Sequence, residues 1–221
     1  MFRMGQGNAH FLRSRSLEDQ RFFQSLEKGQ SPEALLFTCC DSRVVPSIFT
    51  ETKPGELFVD RTIGNIIHPA PTDAPVAATI EYALKVLKIK EIIVCGHTEC
   101  GAMQGLINPR LVEDLPATRQ LLRIAAPVLE KIGEIPNPRE RLQRAIEENV
   151  LLQLEHLKSH PAVGEALSED SIKIHGCVYN IGTGELQIYD EHHKTFTPVE
   201  TWEMYKDCSS SASFDVGSRH G

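Results

Sequence analysis

The sequence predicts an α/β fold: a mainly parallel sheet with an antiparallel edge strand and helices on both faces. Three features predict it. Ala34–Cys39 and Glu91–Cys95 are short, continuous apolar runs of the kind that form strands buried on both faces. Segments with helical spacing alternate with such runs, which is the pattern of a parallel sheet covered by helices. Near the C-terminal end, Gly182-Thr183-Gly184 separates two strand-like segments as a hairpin turn, which supplies the antiparallel pair.

Each element has its own local reason. Ser16 with Asp19 three residues on reads as a helix start, and Phe22, Phe23 and Leu26 follow on one face. Gly29 ends that helix, and Pro32 precedes the first strand. Pro54-Gly55 marks a turn into a strand over Glu56–Asp60. Val76, Ile80, Leu84 and Leu87 give Ala74–Leu87 a helical period, and Gly96 stops the strand Glu91–Cys95. A helix is expected after Gly101, then two more over Pro116–Glu130 and Pro138–Ser159. The longer one carries Leu142, Ile146, Val150 and Leu154 as a stripe. Ile172–Ile181 and Glu185–Tyr189 are the two arms of the hairpin. These elements predict a single domain over residues 1–205 with an N-terminal helical arm, and a flexible Ser-rich tail over 206–221.

Composition narrows the function. The 221 residues carry a net charge of −7, which argues against nucleic acid or an anionic membrane as partner. The apolar stretches are too short to span a bilayer, and Met1–Arg15 lacks the apolar centre of a signal peptide. Six cysteines without such a signal predict reduced thiols and a cytoplasmic setting.

Two of the strand ends carry the chemistry. Cys39-Cys40-Asp41-Ser42-Arg43 closes one apolar run and His97-Thr98-Glu99-Cys100-Gly101 closes another. In an open α/β sheet, ligands bind at that edge. Cys39, His97 and Cys100 form a three-ligand zinc set, which leaves the fourth tetrahedral position for water, as catalytic zinc sites do. Such a metal lowers the pKa of its water toward neutrality. Asp41 and Arg43 follow Cys39 at spacings of two, so an extended strand end projects them to one side. Arg43 could then clamp Asp41 and keep it ionised. Cys40 faces the other way and is no ligand. His68 is a solvated loop residue or a proton relay, and His192-His193 an exposed pair.

These residues resemble a known family. Cys39-x-Asp41-x-Arg43, Pro54-Gly55-Glu56-Leu57-Phe58-Val59, Glu81-Tyr82-Ala83 and Val94-Cys95-Gly96-His97-x-x-Cys100-Gly101 are similar to the motifs of β-class carbonic anhydrases. The likeness runs from about Gln30 to Gly105 and resumes at Glu148-Asn149-Val150 and His175–Tyr179. It implies Zn²⁺ on Cys39, His97 and Cys100, a catalytic Asp41–Arg43 dyad, and hydration of CO2 to bicarbonate by a zinc-activated water. It also implies Gln30 as the substrate-orienting amide, and Phe58, Ile63 and Tyr82 as an apolar pocket wall partly supplied by the second copy of a homodimer. The alternatives on the same scaffold are a COS or CS2 hydrolase and a zinc-binding, non-catalytic interaction subunit. Asp60 and Thr62 depart from the family pattern near the metal-bearing edge. Some relatives hold a second, non-catalytic bicarbonate with a Trp, an Arg and a Tyr. Here Arg61 and Tyr179 match, but Leu36 stands at the Trp position.

Overall fold

The structure, a computed structural model, describes residues 2–71 and 74–201. The expected tail over 206–221 lies outside them. Six strands form one sheet: β1 (Ala34–Cys39), β2 (Leu57–Thr62), β3 (Glu91–His97), β4 (Lys173–Tyr179), β5 (Leu186–Asp190) and β6 (Thr195–Pro198). Their order is β2-β1-β3-β4-β5-β6. The first four run parallel, and β5 and β6 are antiparallel to their neighbours. The antiparallel edge is therefore two strands wide, since β6 extends the expected hairpin. Its turn is an Asx-type corner in which Asp190 Oδ1 accepts from the backbone N–H groups of His192 and His193.

Side-chain alternation sorts the sheet into two faces of unequal cover. Leu35, Phe37, Ile92 and Val94 pack into the larger core with Ile80 of α4 (Ala74–Glu81) and Ile146 and Val150 of α8 (Pro138–Lys158). On the opposite face Leu36, Cys95 and Cys177 form a smaller cluster, closed by Phe49 of the short helix α3 (Pro46–Phe49). Val59 on β2 and Ile48 on α3 remain exposed beside it.

The longest helix, α8, positions the site. Asn137 caps it by accepting from the N–H groups of Arg139 and Glu140, and Pro138 takes the first-turn position where no N–H is needed. It lies across β3 and β4. Gly96 permits this contact, because a Cβ there would meet Val150 Cγ2 at 2.8 Å. The helix expected over Pro116–Glu130 is interrupted. It becomes α6 (Pro116–Leu122), a 3-10 turn at Arg123–Ala125, and α7 (Pro127–Ile132), because Pro127 has no N–H to continue the ladder. The helix expected after Gly101 is α5 (Gly101–Ile107), which follows β3, and α9 (Pro161–Ser168) follows α8.

Two N-terminal helices stand apart from the core. In α1 (Phe2–Ser14) and α2 (Leu17–Leu26) no residue is buried. Ser16 and Asp19 form the expected capping box of α2. Phe11 of α1 packs edge-on to Phe23 of α2 at 5.4 Å, and the Arg15 guanidinium lies over both rings.

Candidate metal centre and active site

Parallel pairing brings the C-terminal ends of β1 and β3 side by side, with Thr38 opposite Cys95. Cys39 ends β1, His97 ends β3, and a tight turn returns the chain to Cys100 at the start of α5. Glu99 takes a left-handed φ of 56° in that turn. The ligand atoms of Cys39, His97 and Cys100 consequently converge within 4.8 Å of one another, all three residues buried.

The donor set fits a thiophilic divalent cation such as zinc. His97 Nδ1 lies 2.9 Å from the Thr98 carbonyl, which fixes the proton on that nitrogen and leaves the Nε2 lone pair facing the thiols. Nε2 is buried and has no hydrogen-bond partner. A buried nitrogen is rarely left so unless it serves a ligand. The two thiols share a proton between them. A hydrogen bond from Cys100, together with the adjacent His97 ring and the backbone N–H groups of Asp41 and Gly64, outweighs burial and pulls Cys39 down to about 4. Cys100 is pushed up by that same bond and by burial. A cation entering the cluster would displace the shared proton.

Asp41 and Arg43 form a fork. Arg43 Nε donates to Asp41 Oδ1 at 2.9 Å and Nη2 to Oδ2 at 2.7 Å, while Nη2 also reaches the Glu99 carbonyl at 3.1 Å. The carboxyl is held well below its ordinary range, first by the Arg43 side chain and then by the Arg43 N–H and His97. Asp41 Oδ2 sits 3.9 Å from His97 Nε2, on the rim of the cluster.

Two neighbours that the sequence singled out for other reasons, Arg61 and Thr62, hold it together. Arg61 donates to the carbonyls of Cys39, Asp41 and Val44, so one guanidinium pins the loop that carries the dyad. Thr62 Oγ1 donates to the Ile66 carbonyl at 2.8 Å and closes the 62–66 turn, from which Gly64 N–H reaches Cys39 Sγ at 3.3 Å. β2 runs on past the Glu56–Asp60 strand expected from the sequence, which places Arg61 one residue before its end, opposite Thr38. The Asp60 carboxylate lies on β2 opposite Phe37, two residues short of the strand end.

The expected apolar wall is only half enclosed by this chain. Phe58 and Tyr82 lie with ring centroids 6.0 Å apart. Tyr82 opens a π-helical turn, Tyr82–Val86, in which Leu87 N–H bonds the Tyr82 carbonyl. Ile63, next to Gly64, and Tyr82 are 43% and 45% exposed. Gln30 lies exposed between α2 and β1 and is not joined by a hydrogen bond to the cluster or the dyad within the described residues. Cys40 is exposed, apart from the cluster, while Cys95 and Cys177 are core thiols. His68 lies beside a separate cavity with Pro69 and His156. A larger cavity of about 890 Å³ borders the His97–Cys100 turn through Thr98 and Glu99. It contains none of Cys39, His97 and Cys100, nor Asp41, Arg43, Phe58, Ile63 or Tyr82.

Comparison with known proteins gives the family. Residues 34–186 match the family model described as carbonic anhydrase. A carbonic anhydrase of Pseudomonas aeruginosa is 37% identical over 196 residues, covering 87% of this chain and 89% of its own. Carbonic anhydrase 1 of Escherichia coli is 35% identical over 87% of this chain and 90% of its own. Among solved structures, the β-carbonic anhydrase CcaA superposes with a TM-score of 0.84 at 35% identity, over 90% of this chain and 91% of that one. The Coccomyxa β-carbonic anhydrase superposes with a TM-score of 0.75 at 25% identity, over 95% and 97%. With the family model matched from β1 to the start of β5, and with relatives and solved structures aligned over most of the chain, the chain belongs to the β class of the carbonic anhydrases.

Proposed function

We propose that this carbonic anhydrase hydrates CO2 reversibly to bicarbonate and a proton, with Zn²⁺ held by Cys39, His97 and Cys100 and with Asp41–Arg43 as its catalytic dyad. One observation carries the reading: a buried S₂N cluster with an unpartnered His97 Nε2 stands beside a carboxylate clamped by a bidentate arginine. Zinc supplies a Lewis acid that brings the pKa of water near neutrality. Arg43 keeps Asp41 ionised and turned away from the ligands, so that its carboxylate can accept a proton or a hydrogen bond at the rim. Phe58, Ile63 and Tyr82 offer apolar surface to an uncharged linear substrate. Gln30 donates to a substrate oxygen as charge develops there, an electrostatic contribution of the oxyanion-hole kind.

The protein acts as a homodimer or a larger homo-oligomer. Support comes from the half-open wall, the exposed Val59 and Ile48, and the arm of α1 and α2 that buries nothing on its own chain. Two fungal relatives from Sordaria macrospora, one of which aligns here at 30% identity with a TM-score of 0.71, are described as tetrameric. The five described cysteines are free thiols, which suits the cytoplasm. Stopped-flow CO2 hydration by metal-quantified protein tests the function. Turnover in proportion to bound zinc is expected, and protein fully loaded with zinc that does not turn over CO2 would overturn it.

A further inference from the structure

Buried polar side chains on an otherwise apolar helix face need a reason, because each costs stability unless its hydrogen bonds are met. The sheet-facing stripe of α8 holds two such amides among Ile146, Val150, Leu154 and Leu157: Asn149 and Gln153, at 1% and 0% exposure. Their bonds all lead to one loop. Asn149 Nδ2 donates to the Gly64 carbonyl at 2.9 Å, and Gln153 Nε2 donates to Asn149 Oδ1 at 2.9 Å. Gln153 Oε1 accepts from Ile67 N–H at 2.9 Å. One turn further on, His156 Nδ1 lies 2.9 Å from the Ile67 carbonyl and 3.1 Å from Gln153 Oε1. Both of those atoms are acceptors, so Nδ1 carries the proton. The donors point in one direction, from His156 toward Gly64, an order in which successive bonds polarise one another.

We propose that Asn149 and Gln153, with His156 behind them, are positioning residues that hold Gly64 so that its N–H donates to Cys39 Sγ, and so set the donor strength of that thiolate toward the metal. The inference rests on the reading of Cys39 as a metal ligand. Gly64 is fixed from several sides. Its φ of 68° and ψ of 24° are left-handed, and a Cβ there would meet the Ala102 Cβ at 2.8 Å. Thr62 Oγ1 closes the same turn from the β2 side through the Ile66 carbonyl. The α8 amides supply the anchor on the other side. An N–H donated to a thiolate withdraws charge from the sulfur, which leaves the metal a stronger Lewis acid. Outer-shell partners of this kind are typically worth about 10–100-fold in metal affinity or activity.

The test uses the full-length protein loaded with Co²⁺, whose thiolate-to-metal charge-transfer band reports sulfur donor strength. Asn149→Leu removes the donor to the Gly64 carbonyl. Gln153→Glu keeps the shape and the acceptor for Ile67 N–H but removes the donor to Asn149. Ile146→Val is the packing control. Asn149→Leu should move the band to lower energy and change the zinc dissociation constant about 10–100-fold, with kcat falling more than KM rises. Gln153→Glu should move both in the same direction by less. The control should lower the unfolding temperature and leave the band in place. Folded variants with the wild-type band and wild-type zinc affinity would overturn the inference, as would an equal shift in Ile146→Val. If Asn149→Leu does not fold, Gln153→Glu decides alone. Wild-type protein with no thiolate charge-transfer band on adding Co²⁺ would instead overturn the metal reading.

Discussion

Arg61 reaches the carbonyl oxygen of Cys39 from two nitrogens, Nε at 3.0 Å and Nη2 at 2.7 Å, and the same Nη2 extends to the carbonyls of Asp41 and Val44. A side chain on β2 thus fixes the backbone of the proposed metal ligand Cys39 and of Asp41 together. Lysine cannot reproduce a planar fork with several donors. Arg61→Lys should therefore weaken both metal retention and CO2 hydration, by about 10–100-fold as for other outer-shell changes. Zinc content after dialysis and the hydration rate check it, and wild-type values for both would show that the carbonyl bonds are incidental.

The same bonds predict how the enzyme responds to bicarbonate. In relatives that the sequence resembles, a second, non-catalytic bicarbonate is held by an Arg, a Tyr and a Trp, at the positions of Arg61, Tyr179 and Leu36 here. Here Leu36 is buried in an apolar cluster and has no N–H to offer from its side chain. Tyr179 stacks on Phe49 at 4.2 Å, and Arg61 is committed to backbone carbonyls. Inhibition by bicarbonate should follow a simple hyperbolic curve. A sigmoidal dependence of the hydration rate on bicarbonate would contradict this.

Replacing Cys39, His97 or Cys100 with Ala should remove most of the metal and the activity together, because each would supply one of the three proposed protein ligands. Cys40→Ser should leave both nearly unchanged, since Cys40 is exposed and outside the cluster. Metal analysis of the purified variants decides the point, and retention of a full complement of zinc by the three ligand variants would exclude the assignment.

Much of this was legible in the sequence, for physical reasons that differ by element. Ala34–Cys39 and Glu91–Cys95 are short apolar runs because both of their faces are covered, so both strands could be read directly, although β3 continues through Gly96 to His97. Capping at Ser16 and Asn137 is local chemistry and was equally accessible for α2. Helix α1 was not, because Gly5 and Gly7 interrupt its period and it buries nothing. The four-residue β6 is too short to show alternation. What no local pattern encodes is the convergence of Arg61, Thr62 and the α8 amides on the ligand loop. Asn149 and Gln153 read as ordinary polar positions on a helix until α8 is laid against Gly64.

Arg43→Ala should lose activity while keeping zinc. Arg43 supplies the first cause of the low Asp41 pKa and holds its carboxylate in a bidentate grip, 3.9 Å from His97 Nε2. Without that grip, a modest movement brings the carboxylate onto the metal, where it would compete with water. Hydroxide binds zinc more strongly than water, so rising pH should favour the active arrangement and partly restore the variant. The expected loss is about 10²–10⁴-fold near pH 7, the range typical of a lost acid–base contribution. Zinc content and hydration rate of Arg43→Ala from about pH 6.5 to 9, which spans the pKa range of metal-activated water, provide the measurement. Near-normal rates across that range would mean that the pair is an ordinary ion pair.

A pH dependence of stability follows from His156. Burial lowers its pKa below the ordinary 6.5, and nearby His68 and His160 add to this, while the Ile67 carbonyl and Glu155 oppose it. The folded state therefore favours the neutral ring that donates Nδ1–H to Ile67. Below the ordinary value the unfolded chain binds the proton more readily than the folded one, so protonation pulls toward unfolding. The contribution is complete above about pH 6.5 and is lost as pH falls from there through the lower folded-state value. His156→Gln keeps an amide donor for the Ile67 carbonyl and has no proton to gain. Thermal melts at pH 7.5 and pH 5.5 should show a larger loss of melting temperature for wild type than for the variant. Equal losses in the two proteins would show that the ring takes up its proton in the folded state without cost, and that the Nδ1–H bond to Ile67 does not depend on its neutral form.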